Sequence, residues 1–178
     1  ELAEALSLPV ATSMGGKGAI REDHELALGV IGRYSRKVAN EIVQECDLAL
    51  VIGSRLGGLV TNSWKVPPPS TRILHVDVDT NVLGATYREE ISVQGDAKLT
   101  LQALVKEAQQ RSVSGERTAW AQQVKERVQA WKEELQRLAS RSPEEPIHPA
   151  AVMNALREAL DPTDIVVADT GYMGAWTG

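Results

Sequence analysis

The chain has 178 residues, a formal net charge of −5 and a sequence pI of about 5.3. This length suffices for a hydrophobic core, and the acidic balance argues against nucleic acid as a partner. The single cysteine, Cys46, excludes an internal disulfide and fits a reducing compartment. No segment is apolar over the thickness of a bilayer, and the first residues lack the pattern of a signal peptide. We therefore expect a cytoplasmic domain without a membrane partner.

The chain opens with a helical pattern over residues 1–6, followed by a short strand at 9–12 and a glycine-rich turn at 13–18. Such a turn lets backbone amides approach a ligand closely, or simply reverses the chain. It is not a Walker loop, because the spacing and the Ser or Thr after the lysine are missing. A second apolar run at 28–31 ends at Gly32 and predicts another strand.

The next segment predicts a helix that Ser35 caps and that ends at Cys46, with Val38, Ile42 and Val43 at helical spacing. At the end of a helix, a cysteine more often packs as a small apolar residue than acts as a nucleophile. Strand, helix and strand then follow one another at the spacing of a right-handed crossover unit.

Two apolar runs, Leu48–Ile52 and residues 73–79, each end in polar residues. Runs this short and this apolar are typical of strands that are buried on both faces of a parallel sheet. Ligands of such sheets bind beyond the carboxyl ends of the strands, where four polar residues of this chain would lie: Ser54, Arg55, Asp77 and Asp79. The same residues also fit the turns and helix caps of an ordinary α/β domain, so the local pattern leaves both interpretations open.

The second half of the chain is predicted to be richer in helix than the first half. A weaker edge strand is predicted at 91–93 and a helix capped by Asp96 follows it, while the prolines at 67–69 form a stiff surface connector. The highly charged segment 111–141 carries Trp and Val at the spacing of a long amphipathic helix, in which they serve as packing anchors. The prolines within 142–149 predict a linker.

A last helix is predicted at residues 149–160, with proline near its first position, and a further buried strand at 165–168. Short apolar runs near Val10, Val30, Val51 and Val76 thus alternate with helix-length segments. This order predicts an α/β fold, in which helices flank a parallel sheet and a helical extension follows at the C-terminus.

Six short motifs stand in the order and spacing of one enzyme family. They are Pro-Val-Ala-Thr-Ser with Gly-Lys-Gly (9–18), Asp-His with Leu-Gly-Val-Ile-Gly (23–32), Ala-Asn (39–40), Asp-Leu with Val-Ile-Gly-Ser-Arg (47–55), His-Val-Asp-Val-Asp (75–79) and Gly-Asp-Ala-Lys (95–98). Together they resemble the Rossmann-like central domain of thiamine-diphosphate-dependent enzymes, in particular the acetolactate synthase and benzoylformate decarboxylase group. The Asp-Thr-Gly…Trp segment at 169–176 is similar to the opening of that family's C-terminal, diphosphate-binding domain.

The resemblance implies three regions. Residues 1–111 would be the central domain without its first strand, 112–149 a charged helix and Pro-rich linker, and 150–178 the start of the diphosphate-binding domain. The chain would be a fragment of a 2-keto acid decarboxylase or carboligase, whose partners are the remaining domains and, when intact, further copies of itself. The glutamate that activates the thiamine ring and the residues that bind Mg²⁺ would lie outside it, so the resemblance implies no catalytic or metal-binding residue here and no activity of the chain alone.

In some members of this family the central domain holds FAD or ADP. The positions that match the nucleotide site are Thr12, Ser13, Gly32, Arg33, Tyr34, Gly53, Ser54, Arg55, Asp77 and Val78. By this resemblance Asp77 would contact the ribose and Arg55 the phosphates. Flavin-binding members carry Arg-Phe-Asp-Asp-Arg where this chain has Arg-Leu-Gly-Gly-Leu, starting at Arg55. The missing second arginine and both missing acids favour a vestigial site, with Arg55 in an interdomain ion pair.

Near the C-terminus, Gly171, Tyr172 and Met173 would approach thiamine diphosphate in the intact parent, with the amide of Gly171 as a donor. Relatives of acetolactate synthase often have histidine where Met173 stands, so the resemblance assigns that side chain no role. A second hypothesis is a stand-alone module of similar fold that binds FAD, NAD or ADP. The segment 169–176 favours the first hypothesis, because such a module does not need the start of another domain.

Overall fold

The computed structural model describes residues 1–111, 115–140, 147–161, 163–168, 171 and 176. Within these ranges the structure contains five helices and five strands, and a single 3-10 turn, Met14–Gly16, follows the first strand. The elements are α1 (Leu2–Leu6), β1 (Val10–Thr12), β2 (Ala27–Val30), α2 (Lys37–Gln44), β3 (Leu48–Ile52), β4 (Arg72–Asp77), β5 (Glu89–Gln94), α3 (Ala97–Ala108), α4 (Gly115–Ala139) and α5 (Pro149–Ala159).

All strand pairs are parallel, as the sequence predicts. β1 pairs with β2 in one sheet, and β4 lies between β3 and β5 in a second sheet. The register between β3 and β4 is unbroken from Leu48 opposite Arg72 to Ile52 opposite Val76. Because parallel strands all point the same way, the loops that follow the strands of each sheet meet at one edge.

One core cluster lies between β2, α2 and α4. Leu28, Val38 and Ile42 form one side of it, and Val124 and Val128 from α4 form the other; all five are buried. The partly buried residues around this cluster are Ala11, Ile31, Val43, Trp120 and Trp131. The Trp and Val residues of the charged helix are therefore packing anchors, as predicted, and α4 shares a core with β2 and α2.

A second cluster covers one face of the three-stranded sheet. Leu56, Ile73 and Tyr87 are buried there, with Ala49 and Val51 packed against them. The hydroxyl of Tyr87 donates to the carbonyl of Pro67 at 3.1 Å, which attaches the Pro-rich connector to this cluster.

The prediction that these strands are buried on both faces is wrong for β3. Leu48 and Leu50 are exposed on the other face, and Ile91 and Val93 of β5, on the far side of β4, are exposed as well. Of the helices that the structure describes, α3 lies against β4 and against α1, and the five residues of α1 span only about 8 Å.

The predicted strand at 165–168 is also wrong. Ile165 and Val167 are 89% and 90% exposed, and residues 164–168 have no regular secondary structure. A strand requires a hydrogen-bonded neighbour, and none of the five strands in the described part of the chain pairs with this segment.

One of the two predicted helix caps is confirmed, and so is the predicted start of the last helix. Asp96 caps α3 by accepting from the amide of Leu99 at 2.9 Å, and α5 begins at Pro149, as predicted. The prediction that Ser35 caps α2 is wrong, since that helix begins at Lys37. The Ser35 hydroxyl instead accepts from the side-chain amide of Asn40 at 2.7 Å. Among the helices that the structure describes, none combines the length and apolar character of a membrane span.

Candidate functional site

The predicted nucleotide positions all lie at the last residues of β1 and β4 or in the loops that follow β1, β2, β3 and β4; we call these segments the strand-end loops (residues 12–13, 32–34, 53–55 and 77–78). Backbone hydrogen bonds connect them. The amide of Arg33 donates to the carbonyl of Leu59 at 2.8 Å and joins the loop after β2 to the loop after β3. The amide of Gly53 donates to the carbonyl of Val76 at 2.9 Å and fixes the end of β3 on β4.

Gly32 is the residue that permits this junction. Its φ of +104° is a left-handed value, and a Cβ there would overlap the carbonyl of Leu59 and lie 2.8 Å from the backbone of Val60. The side chain of Asn40 accepts from the Gly32 amide and donates to the Gly32 carbonyl, both at 2.9 Å. Asn40 is a site residue that sequence reasoning missed, although the Ala-Asn motif contained it, because its partners come from a loop.

The loop after β1 presents two hydroxyls of different kinds. The Thr12 side chain is buried and its Oγ1 has no hydrogen-bond partner. Ser13 uses its hydroxyl locally, since Oγ accepts from the amide of Gly16 at 3.0 Å and caps the 3-10 turn. The buried Thr12 hydroxyl thus has no recorded partner, whereas the Ser13 hydroxyl, which accepts one bond, keeps a proton that it can donate.

Arg55 lies at the surface beside Asp79. Its side chain is 82% exposed, and its guanidinium is 3.9 Å from a carboxylate oxygen of Asp79. The backbone amide and the side chain of Asn81 also donate to Asp79; together with the charge of Arg55, these bonds lower the pKa of the Asp79 carboxyl. The next residue, Leu56, is buried in the second core cluster, so the chain turns inward immediately after Arg55.

The carboxylate of Asp77 is already hydrogen-bonded to the local backbone. Its carboxylate accepts from the amide of Asp79 at 2.9 Å, an Asx turn that ends β4, and the side chain is largely buried. Val78, the next position, is 71% exposed and offers no polar side-chain group. Arg33 and Tyr34 are likewise exposed in the loop after β2. The strand-end loops thus contain few convergent polar groups.

A buried polar network that sequence reasoning did not identify lies beneath the loop after β3. His75 Nε2 is 2.9 Å from the carbonyl oxygen of Ser54, and Nδ1 is 2.5 Å from a carboxylate oxygen of Glu89. Ser92 donates to the other carboxylate oxygen of Glu89. The sequence offered only the His-Val-Asp-Val-Asp motif as a signal, since the partners of His75 lie on two other segments, the loop after β3 and β5.

The C-terminal positions predicted for thiamine diphosphate are only partly described. Gly171 has a φ of +114° with open space around it, while Tyr172 and Met173 lie outside the described residues. In the part of the chain that the structure describes, no three His, Cys, Asp or Glu side chains are grouped as a metal site would require.

Comparison with known proteins identifies the family. Residues 1–104 match the family described as thiamine pyrophosphate enzyme, central domain. The chain belongs to this family. Its parallel strands flanked by helices agree with that membership, and the resemblance stated from the motifs is confirmed.

Similar proteins carry the likeness beyond residue 104. The acetolactate synthase large subunit of Parasynechococcus marenigrum is 34% identical over 175 residues, which are 98% of this chain and 27% of that protein. The probable acetolactate synthase large subunit of Methanocaldococcus jannaschii is 32% identical over 98% of the chain and 30% of its own length. Acetolactate synthase isozyme 3 large subunit of Escherichia coli is 28% identical over 96% of the chain. The chain spans less than a third of the length of these relatives.

Proposed function

We propose that this chain serves as the central domain of a cytoplasmic thiamine-diphosphate-dependent 2-keto acid decarboxylase or carboligase of the acetolactate synthase kind. The observation that carries the proposal is the similarity to acetolactate synthase large subunits over 98% of the chain, well past the 104 residues of the family match. An alternative module that binds a nucleotide without thiamine chemistry would not be expected to share that additional similarity.

In this proposal the cofactor chemistry belongs to other parts of the parent protein. The remaining domains supply the glutamate that activates the thiamine ring and the ligands of Mg²⁺, and the parent is a homo-oligomer. Residues 1–111 form the central domain, 112–149 the charged helix and linker, and 150–178 the beginning of the diphosphate-binding domain. Gly171, Tyr172 and Met173 then approach the diphosphate in the intact protein.

We further propose that the strand-end loops form a vestigial nucleotide site and that the domain has a structural role. Three features support this. Arg55 has a carboxylate partner in Asp79 of the same domain, Leu56 is committed to the core, and Asp77 already accepts a backbone hydrogen bond. Pockets that bind cofactors depend on a few well-placed polar groups for orientation and specificity, and here most of those groups have partners within the protein.

The experiment that tests the family function is an assay of the full gene product that contains this chain. We expect it to form acetolactate from a 2-keto acid only when thiamine diphosphate and Mg²⁺ are both present. Omission of either component from the same preparation is the control. A preparation that is folded and loaded with both components, yet converts no 2-keto acid and instead binds NAD, FAD or ADP saturably, would favour the alternative module.

A further inference from the structure

The buried network beneath the loop after β3 contains a histidine with a partner on each ring nitrogen. The side chain of His75 is 1% exposed and that of Glu89 is 3% exposed. His75 lies on β4, Ser54 follows β3, and Glu89 begins β5, so one imidazole connects all three strands of the second sheet.

The partners define where the protons lie. A carbonyl oxygen can only accept, so the bond to Ser54 requires that Nε2 of His75 carries a proton. One further proton lies between Nδ1 and the carboxylate of Glu89. With that proton the buried pair is neutral overall; without it, a lone pair and a carboxylate would face each other in the interior, at high cost.

The turn that this imidazole contacts is under backbone strain. Leu56, two residues after Ser54, has a φ of +49°, a left-handed value that a leucine rarely adopts. Such a conformation persists only where the surroundings hold it. Burial of the Leu56 side chain is one restraint, and the bond from His75 to the Ser54 carbonyl is a second. Arg55, which lies between them, is directed to Asp79.

We propose that His75, oriented by Glu89, is a positioning residue for the Gly53–Leu56 turn. Its Nε2–H anchors the Ser54 carbonyl, maintains the left-handed conformation of Leu56 and thereby presents the guanidinium of Arg55 to Asp79. This role is independent of whether the parent protein is a carboligase, because every atom involved lies within residues 53–92.

NMR spectroscopy of the chain tests the proton placement directly. In wild-type protein, the ¹⁵N spectrum of the imidazole should show a protonated Nε2 with a slowly exchanging proton. An unprotonated Nε2 at neutral pH would overturn the proposal, because the anchor to Ser54 could not then form. This measurement needs no variant and therefore does not depend on how well a substitution folds.

Two substitutions of His75, whose side-chain amides extend to different distances, test the anchoring role. In His75→Gln the side-chain amide can place a donor near the original Nε2 position, whereas the amide of His75→Asn is too short to reach Ser54. We expect His75→Asn to shift the amide resonances of Ser54, Arg55 and Leu56, and His75→Gln to restore them largely, while resonances of α2 and α4 stay unchanged in both. Equal shifts in both variants, or none in His75→Asn, would show that His75 only fills space.

Discussion

Gly32 lies directly against the backbone of Leu59, so that no side chain can be accommodated at position 32. The contact joins the loop after β2, which belongs to the two-stranded sheet, to the loop after β3, which belongs to the three-stranded sheet. Arg33 adds a backbone hydrogen bond to the same carbonyl at 2.8 Å. This junction fixes the strand-end loops of the two sheets relative to each other.

Gly32→Ala should therefore be strongly destabilising. The left-handed φ and the overlap with Leu59 both oppose a Cβ, and together they should reduce the free energy of unfolding by about 3 kcal/mol. Gly18→Ala is the matched control, because Gly18 has a similar φ of +93° and open space around it; strain alone should cost about 1–2 kcal/mol. Urea denaturation of the two variants measures the difference. Equal losses would show that the Leu59 contact yields easily.

The charged helix α4 should contribute to stability through its buried valines. Val124 is fully buried against α2 and β2, so Val124→Ala should cost about 2 kcal/mol. Gln123→Ala, at the adjacent exposed position, should change stability by no more than about 0.5 kcal/mol. If chemical denaturation gave equally small effects for both, α4 would not share the core.

Glu89 should make the protein sensitive to acid. Burial raises the pKa of Glu89, but hydrogen bonds from Ser92, the Gly84 amide and His75 outweigh it, and the pKa lies below its ordinary value of 4.5. The folded protein thus holds this proton less tightly than the unfolded chain does. The associated stability is present above pH 4.5 and is lost as the pH falls through the lowered pKa.

Glu89→Gln should consequently flatten the acid limb of the stability profile, measured by denaturation at a series of pH values. Glu90→Gln, at the exposed neighbouring position that Arg72 contacts at 3.7 Å, is the control for the loss of one carboxylate from β5. The prediction fails if the wild-type protein and Glu89→Gln lose stability in parallel as the pH falls.

Cys46 should be a slow nucleophile in the folded chain. Burial raises the pKa of its thiol, and Sγ donates to the carbonyl of Val43 at 3.1 Å. Since only the thiolate reacts, alkylation by iodoacetamide at neutral pH should be at least about tenfold slower in the native protein than in urea. Mass spectrometry of timed samples measures both rates. Comparable rates in the two states would indicate an activated thiol instead.

Local sequence signals predicted the elements that depend on local interactions. The side chain of Asp96 reaches an amide only three residues away, and the apolar run Leu48–Ile52 favours a strand whatever its neighbours are. The same kind of run at 165–168 remains exposed, because pairing depends on a partner strand that its own residues do not specify. The prediction that Leu50 is buried was wrong for the same reason, since the burial of this face depends on where helices pack.

In the candidate site, too, the sequence predicted what depends on local structure and missed what depends on distant partners. The motifs placed Arg55 and Asp77 correctly at strand ends, because strand direction alone determines that position. They gave no role to Asn40 or His75, whose partners are 8 residues away in one case and 14 and 21 in the other. Contacts over such separations arise from tertiary packing, which neither periodicity nor spacing encodes.

Titration of the purified chain with FAD and with ADP, followed by melting temperature, tests the vestigial site most directly. A ligand at a hundred times its dissociation constant would stabilise the protein by about 2.7 kcal/mol, which a thermal shift resolves easily. We predict a colourless protein whose melting temperature neither nucleotide changes, in wild type and in Arg55→Ala alike. A saturable rise with either nucleotide that Arg55→Ala abolishes would contradict the account and would show that the strand-end loops form a working site.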